Sequence, residues 1–482
     1  MVLATPTTNF VGTANVNTGL LGAGRYVADG EKWDDGNFQG NGQGVLLDYS
    51  FPQVGFWVNP YGSSNEPWVG GINGTTALEQ AAIRAALATW SRFANVTFVE
   101  NVDTQFTVGE LRFIKSSALP NNESAHGYFP SGGPQAGDVW FNSHNQFNRD
   151  GGAVPLGSFD YETILHEIGH TLGLKHTFDD ANSGPANHAP ATQDNYFYSI
   201  MSYTASPYSA HGNNFATFYP TTPMYLDLVA IEGMYGQRAF NTGNNIYAFY
   251  DGIKYWQAIN DTGGHDKIVY VGSENSTINL NPGGFSAVSE AIAFHRPNGT
   301  TVTSRATVTI GPNVVIEDAT GGNGHDTLIG NGANNILAGG NGNDTLSGLN
   351  GADYLTGGNG NDRFFGSSGN DKLIGGAGAD HFYFNTGLNA STNRDTIMDY
   401  NVAQDSLHLE NAIFTRLAVQ AHLNPAYFRA ASHALDRNDF IVYNRGTGGL
   451  FYDPNGSLAG GQVLFAVLLN KPALTASEFS VF

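Results

Sequence analysis

The chain has 482 residues, of which only 13% are charged, yet 42 Asp and Glu against 21 Lys and Arg leave a formal net charge of −21. That length supports two to four domains with large cores, and so acidic a surface repels nucleic acid and anionic lipid, which sets both aside as partners. With no cysteine present, disulfides, thiolate metal sites and a cysteine that masks a metal in a precursor are excluded too.

In chain order, the opening residues are polar, small and Gly-rich, and the first Lys or Arg is Arg25. They lack the basic and apolar regions of a conventional signal peptide, so residues 1–24 are expected to form a leader or short propeptide. Thr76-Ala-Leu-Glu79 has the form of a capping box. After it, Leu78, Ala82, Ile83, Leu87, Trp90 and Ala94 recur at helical spacing and predict one apolar face. Short strands are expected over 96–99, 110–114 and 138–142, with a helix carrying His166 and His170 and another over 222–236. Together these predict an α+β domain. No apolar run reaches the length of a membrane span, the longest being about 463–469.

Chemistry concentrates in His166-Glu-Ile-Gly-His170-Thr-Leu-Gly-Leu-Lys-His176. Residues four apart lie on one helix face, so His166 and His170 are expected to present two imidazoles to one point. Gly173 permits the left-handed turn that ends a helix, which brings His176 in from another direction. Three neutral imidazoles with one open position form the ligand set of a catalytic zinc. Glu167 is placed to take a proton from water there.

The full pattern H-E-x-x-H-x-x-G-x-x-H, followed by the Met-turn Ser199-Ile-Met201-Ser-Tyr203, is the metzincin signature. These residues resemble those of the serralysins, secreted bacterial zinc endopeptidases. The resemblance implies that Met201 floors the three histidines. It also implies that Tyr203 serves as an extra zinc ligand and swings away to stabilise the oxyanion. It places the strand containing Gly137-Asp-Val-Trp-Phe-Asn142 at the cleft border, pairing with extended substrate. The likeness of residues 222–236 to the helix that closes the family's protease domain sets a boundary near 240, and hence a metallopeptidase domain over 25–240.

From Gly321 to Tyr383 the chain repeats every nine residues, seven times. The eighth position holds Leu328, Leu337, Leu346, Leu355, Phe364, Leu373 and Phe382, all large and apolar. One inward residue per nine predicts a very short strand and a six-residue turn, stacked into a two-sided, all-β parallel β-roll. The sixth position holds Asp326, Asp344, Asp353, Asp362, Asp371 and Asp380, with Asn335 in the second copy. Stacked carboxylates repel unless a hard cation lies between them, and glycine lets backbone carbonyls turn toward that cation. The pattern is that of the calcium-binding RTX repeat. Expected calcium ligands are Asp326, Asp344, Asp353, Asp362, Asp371 and Asp380, with the turns at Gly322, Gly324, Gly340, Gly342, Gly358, Gly360, Gly376 and Gly378. Sites drawing on Asp326, Asp344 and Asp362 are expected to be sounder than those leaning on Asn335 or Ser367-Ser368. Leu349 also departs from the consensus. An earlier Gly263-Gly-His-Asp266 reads either as a further cation site or as an ordinary turn.

Beyond the repeats, Asp395-Thr-Ile-Met-Asp399-Tyr and Asp405-Ser-Leu-His-Leu resemble the family's roll cap, and strands near 450–453 and 463–469 are expected to extend it. The ending Glu478-Phe-Ser-Val-Phe482 looks like the uncleaved signal read by type I exporters. The family resemblance implies a secreted, monomeric zinc endopeptidase of broad specificity, its RTX domain spanning 241–482. Implied partners are protein or peptide substrates, the exporter and a small protein inhibitor. A non-enzymatic RTX adhesin would need only the roll, and an inactive scaffold would need no intact Glu167.

Overall fold

A computed structural model describes residues 5–7, 32–34, 44–52, 71–103, 109–130, 135–144, 147–148, 151–178, 189–190, 192–204, 216–296, 298–458 and 460–482. The leader expected over 1–24 lies outside the described residues, apart from the strand Thr5–Thr7. The chain divides into two compact units. One comprises Met1–Phe240 with Lys254–Thr262 and Ala291–Val314; the other comprises Asn241–Ile253, Gly263–Glu290 and Val315–Phe482. The expected single cut near 240 treats the chain as linear, whereas two later segments belong with the first unit.

The first unit holds a sheet ordered Val96–Glu100, Val45–Ser50, Leu111–Ser116, Val139–Asn142, Ala125–Gly127. Its first four strands run parallel, and Ala125–Gly127 returns antiparallel along the outside. Helix α1 (Ala77–Phe93) opens with the expected box: the Thr76 hydroxyl accepts from Glu79 N–H, and Thr76 N–H donates to Glu79 Oε2 at 2.7 Å. Ala82, Ile83, Ala86, Leu87, Trp90 and Phe93 are buried along one stripe. Leu78, expected on that face, is half exposed. At 100° per residue Leu78 lies about 100° from the middle of the stripe, and Glu79 falls inside it. Buried Glu79 is accommodated by an ion pair with Lys115 at 2.6 Å, because a buried carboxylate needs a charged or hydrogen-bonding partner.

Helix α2 (Phe159–Thr171) is capped by Ser158, whose hydroxyl accepts from Tyr161 N–H, and every residue from Tyr161 to Thr171 is buried. Trp90 of α1 donates its indole N–H to the Leu165 carbonyl at 3.1 Å, which ties the two helices together. Helix α3 (Tyr225–Tyr235) is anchored to the end of α2 by Tyr235, whose hydroxyl donates to the Leu172 carbonyl at 2.9 Å.

The second unit is a parallel β-roll. One ladder stacks Thr277–Asn279, Thr327–Ile329, Thr345–Ser347, Arg363–Phe365, His381–Phe384, Ser406–Leu409 and Phe479–Val481. The facing ladder stacks Ile246–Tyr250, Lys267–Val271, Asp318–Thr320, Ile336–Asn341, Tyr354–Asn359, Lys372–Ala377, Asp395–Ile397 and Val463–Leu468. Alternate repeats go to opposite ladders, so Leu328, Leu346, Phe364 and Phe382 stack on one side and Leu337, Leu355 and Leu373 on the other. All seven are at most 1% exposed. The period-nine apolar position thus builds the interior over the repeats. The roll also extends beyond the repeats at both ends, since ladder pairing needs one inward residue per strand rather than a full nonapeptide. Asp395–Ile397 and Ser406–Leu409, expected as a cap, continue the ladders in parallel.

Candidate active site

His166 and His170 stand one turn apart on α2, and Gly173, at φ +99°, turns the chain so that His176 returns toward them. The Nε2 atom of His176 lies 3.2 Å from that of His166 and 3.1 Å from that of His170. His166 Nδ1 lies 2.7 Å from the Ile200 carbonyl, and His170 Nδ1 lies 2.7 Å from the Leu174 carbonyl. A carbonyl only accepts, so each Nδ1 carries the proton and each Nε2 presents a lone pair to the shared point. Burial holds His166 down to about 4. It also takes His170 well below the ordinary imidazole range, with the charges of His166 and His176 adding to the effect. Two such lone pairs facing the Nε2 atom of His176 form a site suited to a cation. On a tetrahedral zinc with Zn–N bonds of about 2.0–2.1 Å, ligand nitrogens lie roughly 3.3 Å apart. The spacing fits zinc.

Two glycines make room for this centre. A Cβ on Gly169 would come within 2.7 Å of Met201 Sδ, so the Met-turn packs directly on the helix backbone. A Cβ on Gly127 would meet the Glu167 carbonyl at 2.7 Å and its Oε2 at 3.0 Å. The edge strand Ala125–Gly127 consequently runs close against α2, and Gly127 N–H donates to the Glu167 carboxylate. Glu167 is buried, and desolvation pushes it up to about 7, opposed by His126 and reinforced by Glu123.

The Met-turn is held from α3. Asp227 accepts from the Ser199 hydroxyl at 2.5 Å, from Ile200 N–H at 2.9 Å and from Met224 N–H at 2.8 Å. Because the Ile200 carbonyl orients His166, Asp227 positions a candidate ligand through one peptide unit. Sequence reasoning missed it, although an acid set among Leu226, Leu228 and Ala230 of a buried helix was its signal. Tyr203 is 45% exposed, and its ring flanks the histidines, with centroids 4.6 Å from His176 and 5.6 Å from His166. The structure therefore brings together His166, Glu167, His170, His176, Met201 and Tyr203.

A cleft of about 480 Å³ opens beside them, lined by residues 122–129 on one side and by α2 on the other. The expectation that the Gly137–Asn142 strand borders it is corrected. Val139–Asn142 has neighbours on both sides, and Ala125–Gly127 is the edge. That three-residue strand was too short to leave a period-two pattern in the sequence.

In the roll, carboxylates link successive coils. Asp326 N–H donates to Asp344 Oδ1, Asp344 N–H to Asp362 Oδ1 and Asp362 N–H to Asp380 Oδ1, at 2.8–2.9 Å. Asn335 and Asp353 N–H donate likewise to Asp353 and Asp371 Oδ1. Among the described residues, the remaining Oδ2 atoms of Asp344, Asp353, Asp362 and Asp380 are buried without a hydrogen-bond donor. Burial raises Asp344, Asp353 and Asp380 to about 7 and Asp362 to about 6. Asp371 is also raised by burial, beside the Asp395 carboxyl. Unsatisfied carboxylate oxygens among glycine carbonyls are the donor set of calcium.

Asp326 differs from the expected ranking. Its Oδ2 accepts from Gly322 N–H at 2.6 Å, much as Asn335 Oδ1 accepts from Asn331 N–H at 2.8 Å. Gly340, Gly342, Gly358, Gly360, Gly376 and Gly378 have positive φ, whereas Gly322 and Gly324 do not. Leu349 and Ser367 take φ of +70° and +71° where the repeat otherwise places glycine. Gly263 and Gly264 also adopt positive φ, and Asp266 Oδ1 accepts from Asn245 N–H, so that segment forms a turn of the roll.

Among the described residues, no helix is long and apolar enough to cross a membrane. Residues 73–183 match the matrixin family, which implies a catalytic zinc at the histidine triad. Residues 320–355 and 356–389 match the RTX calcium-binding nonapeptide repeat, which implies structural calcium. Serralysin G of Dickeya chrysanthemi is 33% identical over 272 residues, covering 52% of this chain and 53% of that protein. Serralysin of Proteus mirabilis is 30% identical over 65% of each chain. The metalloprotease AprA of Pseudomonas entomophila (strain L48) is 32% identical over 362 residues, 68% of this chain and 67% of that one. The matched length thus runs from about half to two thirds of these relatives. Sharing the matrixin domain, the repeats behind it and this extent of sequence with them, the chain belongs to the serralysin family.

Proposed function

We propose that this chain is a secreted zinc-dependent endopeptidase that cleaves extracellular proteins with broad specificity and whose RTX roll is stabilised by calcium. The observation that carries the reading is the convergence of three imidazole nitrogens, two with their tautomer set by backbone carbonyls, at the floor of an open cleft. Held by His166, His170 and His176, zinc supplies Lewis-acid polarisation of a peptide carbonyl and acidifies water at neutral pH. The Glu167 carboxylate, held by Gly127 N–H, takes the proton of the attacking water and passes it to the leaving amine. Tyr203, beside His166 and His176, would donate its hydroxyl to the oxyanion and, with zinc bound, would be an additional ligand to it. The edge strand Ala125–Gly127 offers backbone groups to an extended substrate.

The extracellular setting is supported by the roll, whose buried carboxylates need a cation that is scarce inside cells. Folding there couples to calcium by mass action. A type I exporter and a small protein inhibitor are proposed as partners on family likeness. The test is hydrolysis of casein by purified chain carrying one equivalent of zinc, its loss on chelation and its return with zinc alone. Stoichiometric zinc without hydrolysis would overturn the reading in favour of an inactive scaffold.

A further inference from the structure

We propose that the recess of the cleft beyond the histidines receives a lysine or arginine side chain flanking the scissile bond, with Glu162 as its carboxylate partner. This deepens the peptidase reading and rests on it. Glu162 lies one helical turn before His166 on the same face of α2, about 6 Å along the axis. It lines the same cleft as the histidines and is 2% exposed, and among the described residues its Oε1 has no hydrogen-bond donor. The hydroxyl beside it in sequence, Thr163, is committed to the Phe159 carbonyl at 2.9 Å.

The recess is otherwise aromatic. Phe159 and Tyr219 meet edge to face at 5.5 Å between centroids, and Tyr196 meets Tyr219 at 6.1 Å. Among the described residues, the side-chain charges that act on Glu162, those of Glu167 and Asp227, carry its own sign. Burial and these like charges push its carboxyl well above the ordinary range. A guanidinium or ammonium would restore the carboxylate by charge-assisted hydrogen bonds. The methylene stem and the cation would lie along ring faces. A neutral side chain leaves a buried acceptor unmatched, and such mismatches give sites of this kind their selectivity.

Two measurements on the full zinc-loaded chain test this. In calorimetry, n-butylguanidinium is expected to bind the wild type about tenfold tighter than its neutral isostere n-butylurea, and Glu162→Gln to bring the two together. In a peptide library varied on both sides of the scissile bond, wild type is expected to favour Lys or Arg over Met at one flanking position by about tenfold in kcat/KM. That ratio should approach one in Glu162→Gln and be partly kept in Glu162→Asp. Equal binding of the two probes by wild type, or a ratio unmoved by Glu162→Gln, overturns the proposal even if peptides are cleaved well. Selective guanidinium binding without any hydrolysis sinks the peptidase reading and upholds the recess. If Glu162→Gln does not fold, the wild-type probe ratio decides alone.

Discussion

Met201 Sδ packs on the backbone of α2 at Gly169, where an added Cβ would approach it to 2.7 Å. Gly169 sits between Glu167 and His170, so the contact sets the spacing between the helix that carries two histidines and the turn whose Ile200 carbonyl orients one of them. Gly169→Ala should push the Met-turn away and destabilise the protein by about 1–3 kcal/mol through overpacking. Zinc affinity should fall with it. Thermal melting and competition with a zinc-binding dye check both, and unchanged zinc affinity would show that the turn tolerates the shift.

Glu167→Ala should leave one zinc bound while peptide hydrolysis nearly vanishes, because the three nitrogens do not depend on that carboxylate. Tyr203→Phe removes a donor without removing the ring that flanks His176. A loss of about 2.7–4 kcal/mol in transition-state stabilisation, seen in kcat more than in KM, is expected. Equal loss in ground-state binding would assign Tyr203 a packing role.

Calcium should stabilise the roll in proportion to the logarithm of its concentration, by about 2.7 kcal/mol per site at one hundred times the dissociation constant, and raise its melting temperature accordingly. Asp362→Asn removes an oxygen that lacks a protein donor and should weaken this dependence. Circular dichroism melts with and without chelator measure it. A melting temperature indifferent to calcium would remove the cation from the roll.

Leu349 occupies the left-handed region at φ +70°, which costs a non-glycine residue about 1–2 kcal/mol. Leu349→Gly should recover roughly 1 kcal/mol, with the added chain entropy of glycine reducing the gain. Gly360→Ala should do the reverse, since its Cβ would overlap the Gly342 carbonyl. Denaturant titration in calcium distinguishes the pair.

Glu232 on α3 is buried, with Oε2 accepting from Asn313 at 3.3 Å and Oε1 without a donor among the described residues. Burial raises it from 4.5 to about 8. Its folded-state pKa exceeds the unfolded one, so its contribution is fully present below about pH 4.5 and is lost as pH rises through about 8. Glu232→Gln should therefore gain stability relative to wild type over that window, most above pH 8, by a few kcal/mol at most. Parallel unfolding curves at every pH would show that the carboxyl stays ionised or solvated.

The sequence alone settled whatever depends on local geometry or strict repetition. His166 and His170 share a face because a helix advances 100° per residue. The seven stacked apolar residues of the roll, from Leu328 to Phe382, follow from a period of nine, and the capping box at Thr76 and Glu79 follows from three-residue spacing. Tertiary structure decided what depends on which elements become neighbours. Ala125–Gly127, rather than the strand before Ser143, became the sheet edge, and Asp227 came to hold a turn 27 residues earlier in the chain. Among the described residues, Glu162 was left lining a cleft with its Oε1 unpaired, and Asp326 was drawn to a backbone N–H instead of standing open like Asp344. Such pairings arise from packing between segments far apart in the chain, and no local spacing encodes them.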